Sequence, residues 1–228
     1  MHEIFLACRN RMRYPFIEKK NPLILASASP RRKSLLTQVG LPFRSETSHV
    51  TEEGPCRNPA QAACLLAEKK AREVYSRIGG SWILGADTVV VIDRTRSQVR
   101  EAHIENLATI LGKPKDRKEA CHMLRLLSGT EHRVMTGFCI LDPSGETAHS
   151  ETVSTRVHIK ALTDTEIDAY VNTKEPFGKA GSYAIQGIGS FMVKSISGSY
   201  ANVVGLPLFA LIKALVAVGA IESFPLSI

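Results

Sequence analysis

The chain has 228 residues, 44% of them hydrophobic, which is enough to bury a sizeable core in one large domain or two small lobes. No apolar run reaches the roughly 18 residues that a membrane span needs, because the longest, over 206–221, is interrupted by Lys213. The formal charge of +7 predicts a surface that attracts polyanions, whether a nucleic acid, an anionic membrane or a free nucleotide.

The five cysteines form an odd set without a Cys-x-x-Cys pair, so we expect neither a disulfide framework nor a zinc ribbon. A reducing compartment, the cytoplasm, is expected instead. The first twenty residues are rich in Lys and Arg, but Glu3 and Glu18 do not fit an organelle-targeting peptide. Residues 1–21 are therefore interpreted as an N-terminal extension of unknown role, followed by one domain over 22–228.

Apolar runs alternate with helix-start patterns along this domain, and the alternation predicts an α/β fold. A short buried strand is expected at Leu23–Ala26. A proline preceded by Ser29 predicts a helix over 30–40, because serine caps helices and proline suits their first position. A second Asn-Pro start, followed by apolar residues at helical spacing, predicts a helix over 58–78.

In the middle of the chain, an apolar run, a polar segment and capping-box patterns predict the structure. Residues 82–92 are apolar and predict one or two central strands bent at Gly85. Residues 93–110 are polar and lack periodicity, so they are interpreted as an insertion or a hairpin. Capping-box patterns predict helices over 117–127 and 164–171.

The remaining elements complete the predicted sheet. Residues 133–141 and 151–159 alternate like antiparallel strands and are joined by a turn at 142–145. Residues 181–197 are glycine-rich and are predicted to be strand-like. A closing helix is predicted over 206–218.

Three cations, Arg31, Arg32 and Lys33, occupy the first turn of the first predicted helix. The helix dipole already makes that end positive, so each cation there costs on the order of 0.3–1 kcal/mol relative to an anion. Free amides, the hydroxyls of Ser27 and Ser29, and two guanidinium groups suit a phosphate. A solvated basic turn remains the alternative.

Asp87 lies within the apolar run that predicts the central strand. An unpaired buried carboxylate costs several kcal/mol, so Asp87 is expected to be paired, to bind a metal or to lie exposed at a strand end. A carboxylate backed by a sheet is a common Mg²⁺ ligand. The alternative is a turn aspartate between two strands.

Lys113, Lys179 and Gln186 are isolated polar residues in tight segments rich in glycine and proline. Such segments let a ligand approach the backbone, although a lysine there is often only a solvated loop residue. Neither a P-loop nor a Rossmann glycine motif is present. The seven histidines show no metal-ligand spacing, so any metal is expected to have oxygen ligands.

Five motifs occur in a fixed order along the domain. They are LASASPRR at 25–32, GADTVV at 85–90, LGKP at 111–114, KAGSYAIQG at 179–187 and GSYANVVGLP at 198–207. In sequence and order they resemble the motifs of the Maf family over roughly nine-tenths of the chain. The resemblance implies an α/β fold related to the inosine triphosphate pyrophosphatases, with a mixed elongated sheet, flanking helices and two lobes around a cleft that holds the nucleotide.

The resemblance also implies a substrate. Arg31, Thr88 and Gln186 match the family branch that acts on dTTP and UTP, whereas the branch acting on 7-methyl-GTP carries Trp, Gln and Glu at these positions. The implied activity is that of a nucleoside triphosphate pyrophosphatase, a hydrolase that releases monophosphate and pyrophosphate in a house-cleaning role. A glutamine amide can pair with both the carbonyl and the N3–H of uracil or thymine.

Residue by residue, the resemblance implies Asp87 and Glu53 as the catalytic carboxylates and the ligands of a divalent cation, Mg²⁺ or Mn²⁺. The sequence departs from the common pattern at Gly178, where many members have Asp. The residues implied to contact the nucleotide are Ser29, Arg31, Arg32, Lys70, Thr88, Lys113, Lys179 and Gln186.

The corresponding hypothesis is that a water molecule, activated by the metal and a carboxylate, attacks the α-phosphorus and pyrophosphate leaves. The expected partner is a nucleoside triphosphate, with no requirement for nucleic acid or a membrane, and the resemblance implies a homodimer. Two alternatives remain open at this point. One is a nucleic-acid-binding or septum-formation regulator, and the other is an enzyme acting on inosine or modified purine triphosphates.

Overall fold

The computed structural model describes residues 14–51, 58–93 and 108–226. It is a mixed α/β structure. Its strands and helices in chain order are β1 Leu23–Ala26, α1 Pro30–Gln38, β2 Phe43–Glu46, α2 Pro59–Ile78, β3 Ile83–Asp93, β4 Ala108–Leu111, α3 Arg117–Leu127, β5 Glu131–Leu141, β6 Thr147–Ile159, α4 Asp164–Asn172, β7 Val193–Ser197, α5 Tyr200–Val204 and α6 Leu208–Ala217.

The strands form one seven-stranded sheet in the order β2-β1-β3-β5-β6-β7, and β4 pairs with the far end of β3. β1 is parallel to β2 and β3, whereas β3, β4, β5, β6 and β7 pair antiparallel. The predicted α/β class with a mixed elongated sheet is confirmed.

The sheet has a gap beside the middle of β3. β1 pairs with β3 only at Ile83 and Leu84, and β4 pairs with it only from Val90 onward. Between these points, residues 85–89 have β5 on one side and no strand on the other among the described residues. The backbone groups of this stretch that face away from β5 therefore take part in no strand ladder among the described residues. A ligand can approach the stretch from that side.

Two hydrophobic cores meet at this gap. The first contains Leu25, Leu84 and Leu211 and packs β1, α1 and α6 against the early part of β3. The second contains Val90 and Leu124 and packs α3 and α4 against the later part. The long central strands run through both cores. The two predicted lobes, the first built around the first core and the second around the second core, are therefore halves of one continuous sheet.

Two glycines let α2 approach the sheet unusually closely. A Cβ added to Gly85 would lie 2.0 Å from the carbonyl oxygen of Ala67, and one added to Gly137 would lie 2.4 Å from the carbonyl carbon of Ala63. Gly85 therefore does not bend β3, which is continuous, but makes room for the helix backbone. The close approach places the next turn of α2, with Lys70, over the gap.

Most predicted helices have the expected bounds, but the prediction for 181–197 is wrong over most of its length. Short 3-10 segments occupy Ala180–Ser182 and Ile188–Met192, and only Val193–Ser197 is a strand. The reason is that Gly181 and Gly187 have φ values of 69° and 81°, which interrupt an extended chain. The short helix α5 was not predicted.

The described part of the N-terminal extension packs on the first core. Ile17 is buried, its amide donates to the carbonyl of Ala220, and the indole of Trp82 donates to the carbonyl of Pro15. The segment from 94 to 107, within the predicted insertion, lies outside the described residues, while its flanks form β3 and β4. Among the described helices, none is both long and apolar enough to cross a membrane.

We expect His132 to make the stability of the fold depend on pH. It is buried in the second lobe, with its Nε2 2.8 Å from the hydroxyl of Tyr183, and burial together with the charge of His158 lowers its pKa to about 4. The unfolded chain, with the ordinary value of 6.5, binds a proton that the folded chain does not. The contribution of neutral His132 to the free energy of unfolding is therefore complete above pH 6.5. This free energy falls by roughly 3 kcal/mol as the pH falls towards 4.

Urea unfolding between pH 7 and pH 4 checks this prediction. In His132→Gln the fall should be much smaller, whereas His122→Gln, at an exposed position of α3, should behave like the unaltered chain. An equal fall in all three proteins would show that His132 is not the responsible group.

Candidate active site

A cleft of about 540 Å³ opens at the gap in the sheet. Its walls come from the turn between β1 and α1, the middle of β3, the loops after β4 and α4, and α5. Glu53, predicted as the second carboxylate, lies outside the described residues. Every other predicted site residue lines this cleft: Ser29, Arg31, Arg32, Lys70, Asp87, Thr88, Lys113, Lys179 and Gln186.

The amino end of α1 forms a positive wall of the cleft. The first turn of α1 contains no acidic residue, and the side chain of Ser29 makes no capping hydrogen bond. Arg31 is half-buried there, and burial lowers its pKa from the ordinary value. The helix end thus combines a positive dipole with a partly desolvated guanidinium group.

A second cation approaches from the other lobe. Lys179 follows α4, is half-buried, and its Nζ donates to the backbone carbonyl of Glu175. Burial and the charge of Arg31 lower the pKa of Lys179, against the opposing effect of Glu175. Two like charges thus converge across the cleft, and a bound polyanion would relieve their repulsion.

Arg32 joins three parts of the cleft wall. Its Nε donates to the carbonyl of Gly205 at 2.8 Å, and its two terminal nitrogens donate at 3.2 Å to Ser27 Oγ and Thr88 Oγ1. These bonds tie the start of α1 to β3 and to the residue after α5. The contact of Arg32 with the nucleotide stays a prediction, and the structure adds a positioning role.

The bond to Thr88 continues into a buried polar network. Thr88 Oγ1 lies 2.9 Å from Thr136 Oγ1, and Thr136 donates to the carbonyl of Asn202 at 3.0 Å. The Asn202 amide donates to Val134 O and Thr155 Oγ1. The sequence patterns did not identify Thr136 and Asn202 as site residues. The position of Asn202 within the GSYANVVGLP motif was an available indication, and the structure shows that it is buried.

Asp87 and Lys70 form a buried ion pair beside the gap. Lys70 Nζ lies 2.7 Å from Asp87 Oδ1, and the two side chains are 11% and 10% exposed. Of the three outcomes expected for Asp87, the structure shows pairing, with a residue on α2, whereas exposure at a strand end is not observed. Since the Lys70 ammonium contacts the carboxylate, it can balance the charge of Asp87. The contact of Lys70 with a phosphate stays a prediction.

The described residues can supply part of a divalent-metal site. Asp87 is the one carboxylate among the described residues that line the cleft, and its Oδ2 accepts no hydrogen bond from the described chain. No group of three or more His, Cys, Asp or Glu side chains suited to a metal occurs within the described ranges. A single carboxylate, that of Asp87, fits Mg²⁺, because this ion is commonly held by one or two carboxylates together with waters and phosphate oxygens.

The cleft lining also includes apolar residues and one amide side chain. Tyr183, Val134 and Val203 line the cleft together with Gln186, whose side chain has no hydrogen-bond partner among the described residues. An apolar surface with one unpartnered amide is suited to a flat heterocycle that carries a donor and an acceptor on one edge.

Comparisons with known proteins identify the family of this chain. The family described as Maf-like protein matches residues 22–218. A protein named dTTP/UTP pyrophosphatase from Syntrophotalea carbinolica is 46% identical over 205 residues, which cover 89% of this chain and 87% of that protein. Its namesake from Geotalea uraniireducens is 43% identical over 208 residues and covers 90% and 100%, respectively.

A dTTP/UTP pyrophosphatase from Thermococcus onnurineus is 46% identical over 186 residues, which cover 82% of this chain and 92% of that protein. Among solved structures, a nucleoside-triphosphatase / dITP/XTP pyrophosphatase from Mycobacterium abscessus superposes with a TM-score of 0.38 and 17% identity, covering 62% of this chain and 75% of that one. The family match over 22–218 and the identities above 40% show that this chain belongs to the Maf family.

Proposed function

We propose that this chain hydrolyses dTTP and UTP to the nucleoside monophosphate and pyrophosphate. The observation that carries the proposal is the convergence of Arg31 and Lys179 from the two lobes on one cleft that also contains Asp87. The names of the relatives support the same substrates. We place the activity in the cytoplasm and expect a homodimer.

The cations are proposed to bind the triphosphate. Arg31 can donate in forked geometry to phosphate oxygens, and the uncapped amino end of α1 adds backbone donors and a positive dipole. Lys179 and Lys113 approach from the other lobe. Charge on the leaving pyrophosphate would then be balanced by groups that are already in place, which is an effective form of catalysis.

Asp87 is proposed to orient the attacking water and to accept its proton. Lys70 keeps the carboxylate in place and balances its charge, which matters because both groups are nearly excluded from solvent. A divalent cation held by Asp87, and by Glu53 in this proposal, would supply Lewis-acid stabilisation of the phosphate oxygens. Attack at the α-phosphorus breaks its bond to the bridging oxygen and releases pyrophosphate.

The base is proposed to lie against the apolar lining residues Tyr183, Val134 and Val203, with Gln186 at its edge. Gln186 can accept from the N3–H of uracil or thymine and donate to the adjacent carbonyl. Thr88 would support the base site indirectly, because its hydroxyl is already bonded to Arg32 and Thr136. A site built to form such hydrogen bonds rejects a base that cannot satisfy them.

A nucleotide panel tests the proposal. With Mg²⁺ present, UTP and dTTP should give monophosphate and pyrophosphate with kcat/KM at least about a hundredfold above that for GTP and ITP. Release of orthophosphate would contradict the assigned bond. A preference for ITP would favour the purine alternative.

A further inference from the structure

We propose that Glu175 and Tyr170 act together as positioning residues that set base selectivity, by holding the backbone on both sides of Gln186. This inference rests on the proposed function, in which Gln186 pairs with the pyrimidine. We call the two side chains the clasp.

The clasp holds the chain after Gln186 through the carboxylate of Glu175. Its Oε1 accepts from the amide of Ile188 at 3.1 Å, and its Oε2 accepts from the amide of Gly189 at 2.8 Å. Both oxygens are thus used within three residues of Gln186. The pKa of Glu175 is lowered, because these two amides, the Tyr170 hydroxyl and the charge of Lys179 outweigh the opposing effect of burial, so the group is an anion at neutral pH.

The clasp holds the chain before Gln186 through the hydroxyl of Tyr170. This buried hydroxyl accepts from the amide of Ala184 at 3.2 Å, and the neighbouring Glu175 carboxylate helps to raise its pKa. Gln186 therefore lies between two anchored positions, 184 and 188, which are held by the side chains of Tyr170 and Glu175, respectively.

Gly187 shows how closely the carboxylate contacts this loop. Its φ is 81°, and a Cβ added there would lie 2.2 Å from Glu175 Oε1. Any other residue would displace the carboxylate. The backbone carbonyl of the same Glu175 accepts from Lys179 Nζ, the ammonium proposed to bind phosphate.

A fixed backbone matters because a glutamine amide is ambiguous. Turned by half a rotation, the amide of Gln186 would present its donor and acceptor in the order that suits cytosine instead of uracil. The amide has no partner among the described residues, so its orientation over a bound base depends on the neighbouring backbone N–H and C=O groups. These groups cannot exchange donor for acceptor, and the clasp holds the backbone that carries them. Loosening that backbone should admit cytosine, whereas a purely structural role for the clasp would lower all activities alike.

The test compares kcat/KM for UTP and CTP in the full chain with Mg²⁺. In Glu175→Gln, whose side-chain amide nitrogen cannot accept a hydrogen bond, we expect the UTP:CTP ratio to fall by about tenfold or more. Tyr170→Phe, which removes one hydroxyl and keeps the ring, should lower the ratio in the same direction. If Glu175→Gln does not fold, the ratio measured for Tyr170→Phe alone tests the inference.

Glu166→Gln is the matched control. Its carboxylate, on α4, likewise accepts a backbone amide, that of Thr163 at 2.9 Å, but it does not line the cleft. This variant should lose thermal stability and keep the wild-type ratio. Ratios within about twofold of wild type in both clasp variants, with UTP still hydrolysed, would overturn the inference. An unaltered chain that cleaves no nucleotide would instead overturn the proposed function.

Discussion

Asp87→Asn is expected to lower kcat/KM for UTP by at least about a thousandfold, or roughly 4 kcal/mol of transition-state stabilisation. The substitution keeps the shape of the side chain but removes the charge that orients water and holds a divalent cation. The substitution also breaks the buried ion pair with Lys70, so the melting temperature should fall by a few degrees. Pyrophosphate release and thermal unfolding measure the two effects.

Asp93→Asn is the control for this result. Asp93 ends the same strand, is more than half exposed and pairs with Arg133, so its replacement removes an ion pair of little energetic value. Its activity should stay within about twofold of wild type. Activity of Asp87→Asn within a few-fold of wild type would remove Asp87 from its proposed role.

Lys179→Met should separate binding from stability. Removing one donor to a charged phosphate should raise KM for UTP by roughly 10- to 100-fold, in line with about 1.5–3 kcal/mol for such a bond. The free protein should be about as stable as wild type. The cost of burying the ammonium and its repulsion from Arg31 disappear, and they offset the loss of its hydrogen bond to the Glu175 carbonyl. The stabilisation by added Mg²⁺-pyrophosphate should shrink accordingly.

Lys174→Met provides the matched comparison, because Lys174 is an exposed lysine five positions earlier that does not line the cleft. It should leave KM and the pyrophosphate-induced shift in melting temperature unchanged. If Lys179→Met destabilised the free protein and left KM unchanged, Lys179 would be a structural lysine and the anion site would need another cation.

Local sequence patterns were sufficient where local interactions decide the structure. The bounds of α2 follow from Asn58, whose side chain accepts from the amides of Ala60 and Gln61, and from the glycine at its end. The helix at α4 likewise has the capping box that its Thr and Glu predict. The motifs also identified cleft residues that lie far apart in sequence, among them Arg31 and Gln186.

Long-range packing decided what the sequence could not predict. The ion pair of Lys70 with Asp87 depends on how closely α2 lies on the sheet, which Gly85 and Gly137 permit. The three bonds of Arg32 and the role of Glu175 depend on partners from distant loops. Local patterns do not specify such contacts.

Hydrolysis of UTP in ¹⁸O-labelled water tests the central claim most directly, namely that the groups in this cleft direct water to the α-phosphorus. Under single-turnover conditions with Mg²⁺, mass spectrometry should find one ¹⁸O atom in UMP and none in pyrophosphate. Label in pyrophosphate would mean attack at the β-phosphorus. Label in orthophosphate, with UDP as the second product, would mean attack at the γ-phosphorus, and either outcome would contradict the arrangement of catalytic groups proposed here.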